Sequence, residues 1–287
     1  MGVKIGVIGG TGFYQMEGLT AIEELELDTP FGKPSDTIVL GTVEGKQVAF
    51  LPRHGKGHRL LPSEINVRAN IYALKALGVE WVIAVSAVGS LRAEIEPQHF
   101  VIPDQLYDHT KNRINTFFGE GIVVHTSFAH PFCPVLSELL YKAATEVGTT
   151  VHKGGTYICM EGPAFSTQAE SNVYRQLGFD VIGMTAAPEA KLAFEAEMSY
   201  AVFACSTDYD CWHPDHDKVT TEMIIQHLIA NVEVAKRAVK AAIRHIPDNR
   251  ENCPSARALE KAIATNPGVI PAETKRKLGL LIGKYLS

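Results

Sequence analysis

The 287-residue chain is 46% hydrophobic, with a formal charge of −5, ample for one large core or two smaller ones. No block of like charge marks a nucleic-acid or membrane surface. No apolar stretch approaches the ~20 residues of a membrane span.

The opening MGVKIGVIGG is too short in its apolar run for a signal peptide and reads as a first strand. The five cysteines form no CxxC motif. They read as reduced thiols of a cytoplasmic protein, with a Cys205–Cys211 pair left open.

Along the chain, short Val/Ile-rich runs recur, each ending in glycine or polar residues: KIGVIGG, TIVLG, QVAFLPRHG, WVIAVSAVGS, FVIPD, TYICMEGP, DVIGMTAAPE and YAVFACSTDYD. Runs apolar on both faces predict strands covered on both sides. Between them lie helical patterns. PSEINVRANIYALKALG sets Ile65, Ala69, Ala73 and Ala76 along one stripe before Gly78. PVLSELLYKAATEVG, AFSTQAESNVYRQLG, APEAKLAFEAE and the long TTEMIIQ…RH segment read the same way. The alternation predicts an α/β domain over 1–245 built on one central sheet. IPDNRENCPS then reads as a linker, and 246–287 as linker plus a C-terminal helical appendage.

In open α/β sheets, ligands bind beyond the carboxyl ends of strands, so the polar residues there carry the functional question. The GGTG turn lacks both the Lys of a P-loop and the third glycine of a dinucleotide loop. It still offers free N–H groups and the Thr11 hydroxyl to a phosphate-sized anion. Arg53, His54, Lys56, His58 and Arg59 crowd one strand end, either as an anion site or as a solvated basic loop. Ser86 and Thr185 add hydroxyls. Glu161 ends another strand, as a functional or a loop-holding carboxylate. Phe165 either stacks on a flat ring or joins the core. HPDHD (213–217) lacks a third ligand at metal-site spacing and reads as a solvated loop.

Asp208 and Asp210 are the strongest signal. A carboxylate at the end of a buried strand must be paired, hydrogen-bonded or protonated. Strand alternation would place the two on one face, where each raises the other's pKa. Such a pair suits a general acid, or a site that reads a ring amine beside a ring nitrogen. A turn-forming Asp is the plainer alternative.

GGTG, DTPFGKPSD, RHG, PSEINVRANIYALK, EGPAFS, MT…PE and TDYDCW occur in this order. Together they closely resemble the methylthioadenosine-cleaving members of the trimeric purine nucleoside phosphorylase family, from about residue 3 to 240. The resemblance implies a twisted mixed sheet flanked by helices and phosphorolysis of an N-glycosidic bond. It implies a homotrimer, alone or paired into a hexamer, and no cofactor or metal, phosphate being a co-substrate. It implies that Thr11, Arg53, His54, Ser86, Ala87 and Thr185 hold phosphate and that Met184 lies against the ribose. Phe165, Ser166, Asp208, Tyr209 and Asp210 would line the purine, with Asp208 as the acid for N7. His58, Thr221, Ile224 and Ile225 would surround the 5′ group, joined by His125 of a neighbouring subunit. Relatives that cleave 6-oxopurine nucleosides carry Glu and Asn where this chain has Ser166 and Asp208. Thr221 is more polar than the family pattern, and Ser86 replaces the commoner Thr. The rival readings are a 6-oxopurine nucleoside or methylthioinosine phosphorylase and, more remotely, an NAD(P)-binding oxidoreductase.

Overall fold

The computed structural model describes residues 2–10, 16–214, 221–250 and 252–286, with the backbone alone for 221–226 and 228. The strands are β1 (Ile5–Gly9), β2 (Thr20–Leu25), β3 (Ile38–Val43), β4 (Lys46–Pro52), β5 (Trp81–Ser90), β6 (Phe100–Ile102), β7 (Gln105–His109), β8 (Val151–Lys153), β9 (Thr156–Met160), β10 (Val181–Gly183) and β11 (Ser199–Asp208). The helices are α1 (Val67–Ala76), α2 (Pro134–Glu146), α3 (Gln168–Gln176), α4 (Ala186–Glu195), α5 (Thr221–His245), α6 (Ala272–Lys277) and α7 (Gly279–Ile282).

One mixed sheet runs in the order β2-β3-β4-β1-β5-β10-β9-β7, with β11 also on β5 and β6 and β8 beyond it. β5 is the trunk. It pairs parallel with β1 and β11 and, at Gly89 and Ser90, antiparallel with β10. Both faces are covered, as the doubly apolar runs predict. On one face Ile71 and Leu74 of α1 and Ala190 of α4 pack with Leu278 and Leu281. On the other, Leu136 and Leu140 of α2 meet Ala235 and Val239 of α5.

Local chemistry sets the helix ends. The Asn66 side chain accepts from Ala69 N–H at the start of α1, and Gly78 adopts a positive φ just past its end. α3 starts on a reciprocal capping box between Thr167 and Glu170. On α1 the expected stripe holds for Ile65, Ala69 and Ala73, but Ala76 is exposed, because the buried face turns through Val67, Asn70, Ile71 and Leu74.

Three strands lie outside the sequence expectation: β2, β7 and β8. β2 (TAIEEL) is exposed up to its last residue, the half-buried Leu25, so no apolar pattern marks it. The segment after His245 also differs. ARALEKAIA forms the end of a short 3₁₀ turn and further turns in place of an α-helix; beyond it come α6 and α7, with 3₁₀ turns at Pro267–Val269 and Gly283–Tyr285. This segment packs onto the body. A bridge joins Val124 to Ile263, and His125 N–H donates to the Ala262 carbonyl.

Candidate active site

Two groups of side chains converge where β1, β4, β5, β10 and β11 end. In the first, Arg53 follows β4 and donates its backbone N–H to the Gly9 carbonyl, tying it to the end of β1. Its guanidinium is buried. Nε and Nη2 donate to the two carboxylate oxygens of Glu189 at 2.8 and 2.9 Å, and Nη1 donates to the Val85 carbonyl at 2.9 Å. This bidentate fork is the strong geometry for an arginine. Tyr200 donates its hydroxyl to the same Glu189 at 2.8 Å. Glu189 is fully buried in the first turns of α4, and nothing in the bare spacing of MTAAPE singled it out.

Beside this pair, Ser86 Oγ lies 3.1 Å from the Tyr157 hydroxyl and 3.2 Å from Thr185 Oγ1. Ser86 and Ala87 stand within β5, which runs on to Ser90, so the strand does not end where its first polar residue appears. His54 is half-buried, and its Nδ1–H donates to the Leu60 carbonyl at 2.9 Å. Burial first, then the charges of Arg53, His58 and Arg113, push its pKa down to about 4. It is therefore neutral, and Nε2 keeps its lone pair. Lys56 and Arg59 of the basic cluster face elsewhere. Lys56 reaches Glu24, Arg59 pairs with Asp36 at 3.2 Å, and the exposed His58 ring stacks on His54.

The second group surrounds Asp208, the last residue of β11. A register shift between Ser206 and Asp208 turns the strand end, and Asp210 has a φ of 52°. Asp210 N–H donates to Asp208 Oδ1 at 2.8 Å, and Thr207 Oγ1 lies 2.7 Å from Oδ2. The pair is thus assembled by a side-chain-to-backbone turn and not by strand alternation. Both sequence readings meet here, since the turn-forming Asp is also the buried one. Burial is the main cause that raises Asp208 to about 6, with the Asp210 charge a smaller one. Mutual repulsion is therefore secondary, contrary to the emphasis of the sequence reading. Burial raises Asp210 also. Its Oδ2 and the buried Ser171 Oγ of α3 have no hydrogen-bond partner among the described residues. The Ser166 and Ser171 hydroxyls lie near enough to Asp210 to offset part of that rise.

Gly89 is part of this geometry. A Cβ there would fall 2.9 Å from Asp208 Oδ1. From α5, His227 Nδ1–H donates to the Thr207 carbonyl and Asn231 to that of Ser206, which steadies the strand end. Arg113 is a further site residue that sequence reading missed. It donates to the carbonyls of Met160, Glu161, Met184 and Ala187, joining the ends of β9, β10 and α4. Glu161 takes its loop-holding role, 3.2 Å from Arg113 and accepting from Lys111 N–H.

Phe165 is 44% exposed, which rules out the core reading. Ser166 sits against Met160, and its carbonyl accepts from Cys211 Sγ. Met184 packs on Gly162. The Tyr209 ring stacks on His213 and meets Trp212 edge-on, while its hydroxyl donates to the Ala93 carbonyl. His125 is exposed on a separate loop, and no contact joins it to these groups within one chain among the described residues. Thr11 lies outside the described residues, as do the side chains of Thr221, Ile224 and Ile225. Of HPDHD, only His213 and Pro214 are described. Cys205 and Cys211 are both free thiols with separate partners, so that pairing is not made.

The chain is similar over nearly its whole length to several phosphorylases. A curated relative from Geobacter sulfurreducens, S-methyl-5'-thioadenosine phosphorylase, is 59% identical over 98% of this chain and 99% of its own. One of the same name from Koribacter versatilis is 56% identical over 99% and 97%. Among solved structures, a methylthioadenosine phosphorylase from an antarctic soil metagenomic library superposes with a TM-score of 0.93 at 48% identity, covering 98% and 99%. A Schistosoma mansoni adenosine/methylthioadenosine phosphorylase mutant in complex with methylthioadenosine gives 0.80 at 36%, covering 90% and 96%. No helix among the described residues is long and apolar enough to cross a membrane. The phosphorylase superfamily model matches residues 4–244, so the fold, the converging strand ends and the sequence agree that this chain belongs to that superfamily.

Proposed function

We propose that this chain splits S-methyl-5'-thioadenosine with inorganic phosphate, giving adenine and 5-methylthioribose 1-phosphate. One observation carries the choice of base. Beside Asp208, the buried Asp210 Oδ2 is an acceptor without a donor, and buried polar groups are ordinarily satisfied. A 6-amino group supplies the missing donor, whereas a 6-oxo group would set oxygen against oxygen. Ser166, where the 6-oxopurine relatives carry Glu, fits the same choice.

Phosphate is held by the Ser86 and Thr185 hydroxyls, the Ala87 backbone, the remaining N–H groups of Arg53 and the Thr11 turn. Neutral His54 accepts a phosphate O–H at Nε2. A phosphate oxygen attacks the anomeric carbon as the bond to N9 breaks through an oxocarbenium-like sugar. The bonding electrons pass to the purine, and protonated Asp208 delivers its proton to N7. The held anion also stabilises the sugar cation. Met184 lies against the ribose, and Phe165 covers the purine with its exposed ring. His58 and residues 221, 224 and 225 surround the methylthio group. His125, which one chain leaves exposed, reaches the site of a neighbouring copy in a homotrimer. No cofactor enters the reaction, and the setting is the cytoplasm.

The test is adenine release from methylthioadenosine with and without phosphate, with inosine in parallel. Phosphate-dependent release with inosine poor is expected. Release without phosphate would make the chain a hydrolase, and inosine preference would overturn the reading of Asp208 and Asp210.

A further inference from the structure

The proposed reaction uses no thiol, yet two of the five cysteines meet. Cys133 precedes α2, and Cys253 precedes the 3₁₀ turn at Pro254–Arg257, 120 residues further on. Their Sγ atoms lie 3.0 Å apart, both buried. That is closer than two unbonded sulfurs ordinarily pack and about 1 Å longer than a disulfide bond. The Cys133 backbone N–H is held by the Tyr200 carbonyl and that of Cys253 by the Arg250 carbonyl, so backbone bonds hold both residues in place. A hydrogen bond between the two thiols, in which either sulfur can be the donor, holds the Cys253 thiol below the ordinary cysteine range and pushes Cys133 up. A surface cavity of about 520 Å³, lined by Glu80, Asp248, Asn249, Arg250 and Cys253 among others, reaches Cys253.

The position gives the pair a purpose. Beyond Cys253 the chain straps the loop that carries His125. Ala264 N–H donates to the Val123 carbonyl, Val123 N–H donates to Thr265 Oγ1, and Thr274 donates to the Glu120 carbonyl. Lys277 pairs with Glu120. A bond at Cys253 would fix the root of that strap to the body.

We propose that Cys133 and Cys253 form an oxidation site for a small hydroperoxide, closing a reversible cross-link at the root of the C-terminal strap. The Cys253 thiolate attacks one peroxide oxygen. The O–O bond breaks, and the departing hydroxide takes the Cys133 proton and leaves as water. Cys253 is then a sulfenic acid. The Cys133 thiolate attacks its sulfur, the S–S bond forms, the S–O bond breaks, and a second water leaves with a solvent proton. Two thiols are oxidised by two electrons, and hydrogen peroxide is reduced to two waters. A thiol reductant reverses the link by exchange. The proposal does not depend on the phosphorylase reading.

The test treats the reduced full-length protein with stoichiometric hydrogen peroxide. It counts thiols in denaturant and maps peptides without reduction. The five titrating thiols of the sequence should fall to three, with one peptide pair joining Cys133 to Cys253. Dithiothreitol should restore the count, and the oxidised form should unfold several degrees higher. Cys253→Ser should abolish the link. The unmodified chain alone decides the matter if that variant folds poorly. Retention of all five thiols, oxidation confined to the half-exposed Cys211, or a different pair would overturn the proposal.

Discussion

Gly89 and Asp208 are in such close approach that a methyl group on one would displace the carboxylate of the other. The ideal Cβ at residue 89 falls 2.9 Å from Asp208 Oδ1, 3.2 Å from Ile182 and 3.3 Å from Asp210 N. Gly89→Ala should therefore lower kcat/KM for methylthioadenosine about 10–100-fold by moving the acid out of line. Its overpacking should cost about 1–3 kcal/mol of stability. Steady-state kinetics beside a denaturation curve check both.

Asp208→Asn removes the proton donor while keeping the side chain's shape. The expected loss in kcat is about 10²–10⁴-fold, the usual worth of a positioned acid. The KM for phosphate should hardly move, because that anion is bound by other groups. Unchanged turnover of methylthioadenosine would remove Asp208 from the mechanism.

The pKa of Asp208 gives two linked pH effects. Raised to about 6, the group loses its proton as pH climbs, so kcat/KM should fall above about pH 6, and this limb should vanish in Asp208→Asn. Between the ordinary carboxylate range and 6 the folded state binds more protons than the unfolded state. The wild type therefore loses stability as pH rises through that window, and the loss is complete above it. Asp208→Asn escapes this loss. It should be more stable than wild type at pH 8 by about 3 kcal/mol and gain little at pH 4. Denaturant titrations at the two pH values read this directly.

Glu189→Gln leaves the buried Arg53 guanidinium without its counter-charge. Breaking such a pair costs about 3–5 kcal/mol, so the melting temperature should drop markedly. At a temperature where the variant is folded, KM for phosphate should rise more than KM for the nucleoside. Glu189→Asp should recover part of the affinity. Equal rises in both would mean a purely structural carboxylate.

The sequence shows much of this in advance, because the buried strands are apolar on both faces and end in polar residues. Arg53, Ser86, Thr185, Asp208 and Asp210 stand out for that reason. Glu189 and Arg113 do not, since one charged residue on a helix and one in a loop carry no local pattern. Their roles come from partners 136 and 71 residues away. β2 is hidden because it is exposed and acidic, and β7 and β8 because they are short and half-polar. The basic cluster after β4 reads as one site in the sequence. In space it divides, because Lys56 and Arg59 turn to Glu24 and Asp36 while Arg53 goes inward.

The neutralisation of Arg53 by Glu189, beside an uncharged His54, has a bearing on how the anion is chosen. A cradle with so little net positive charge recognises phosphate by the directions of its hydrogen bonds and not by attraction at a distance. Ionic strength should then matter little. Raising sodium chloride from about 0.05 to 0.5 M should shift KM for phosphate less than about threefold, where an open cationic patch would be strongly screened. Anions of other shapes, such as nitrate, should compete poorly even in large excess.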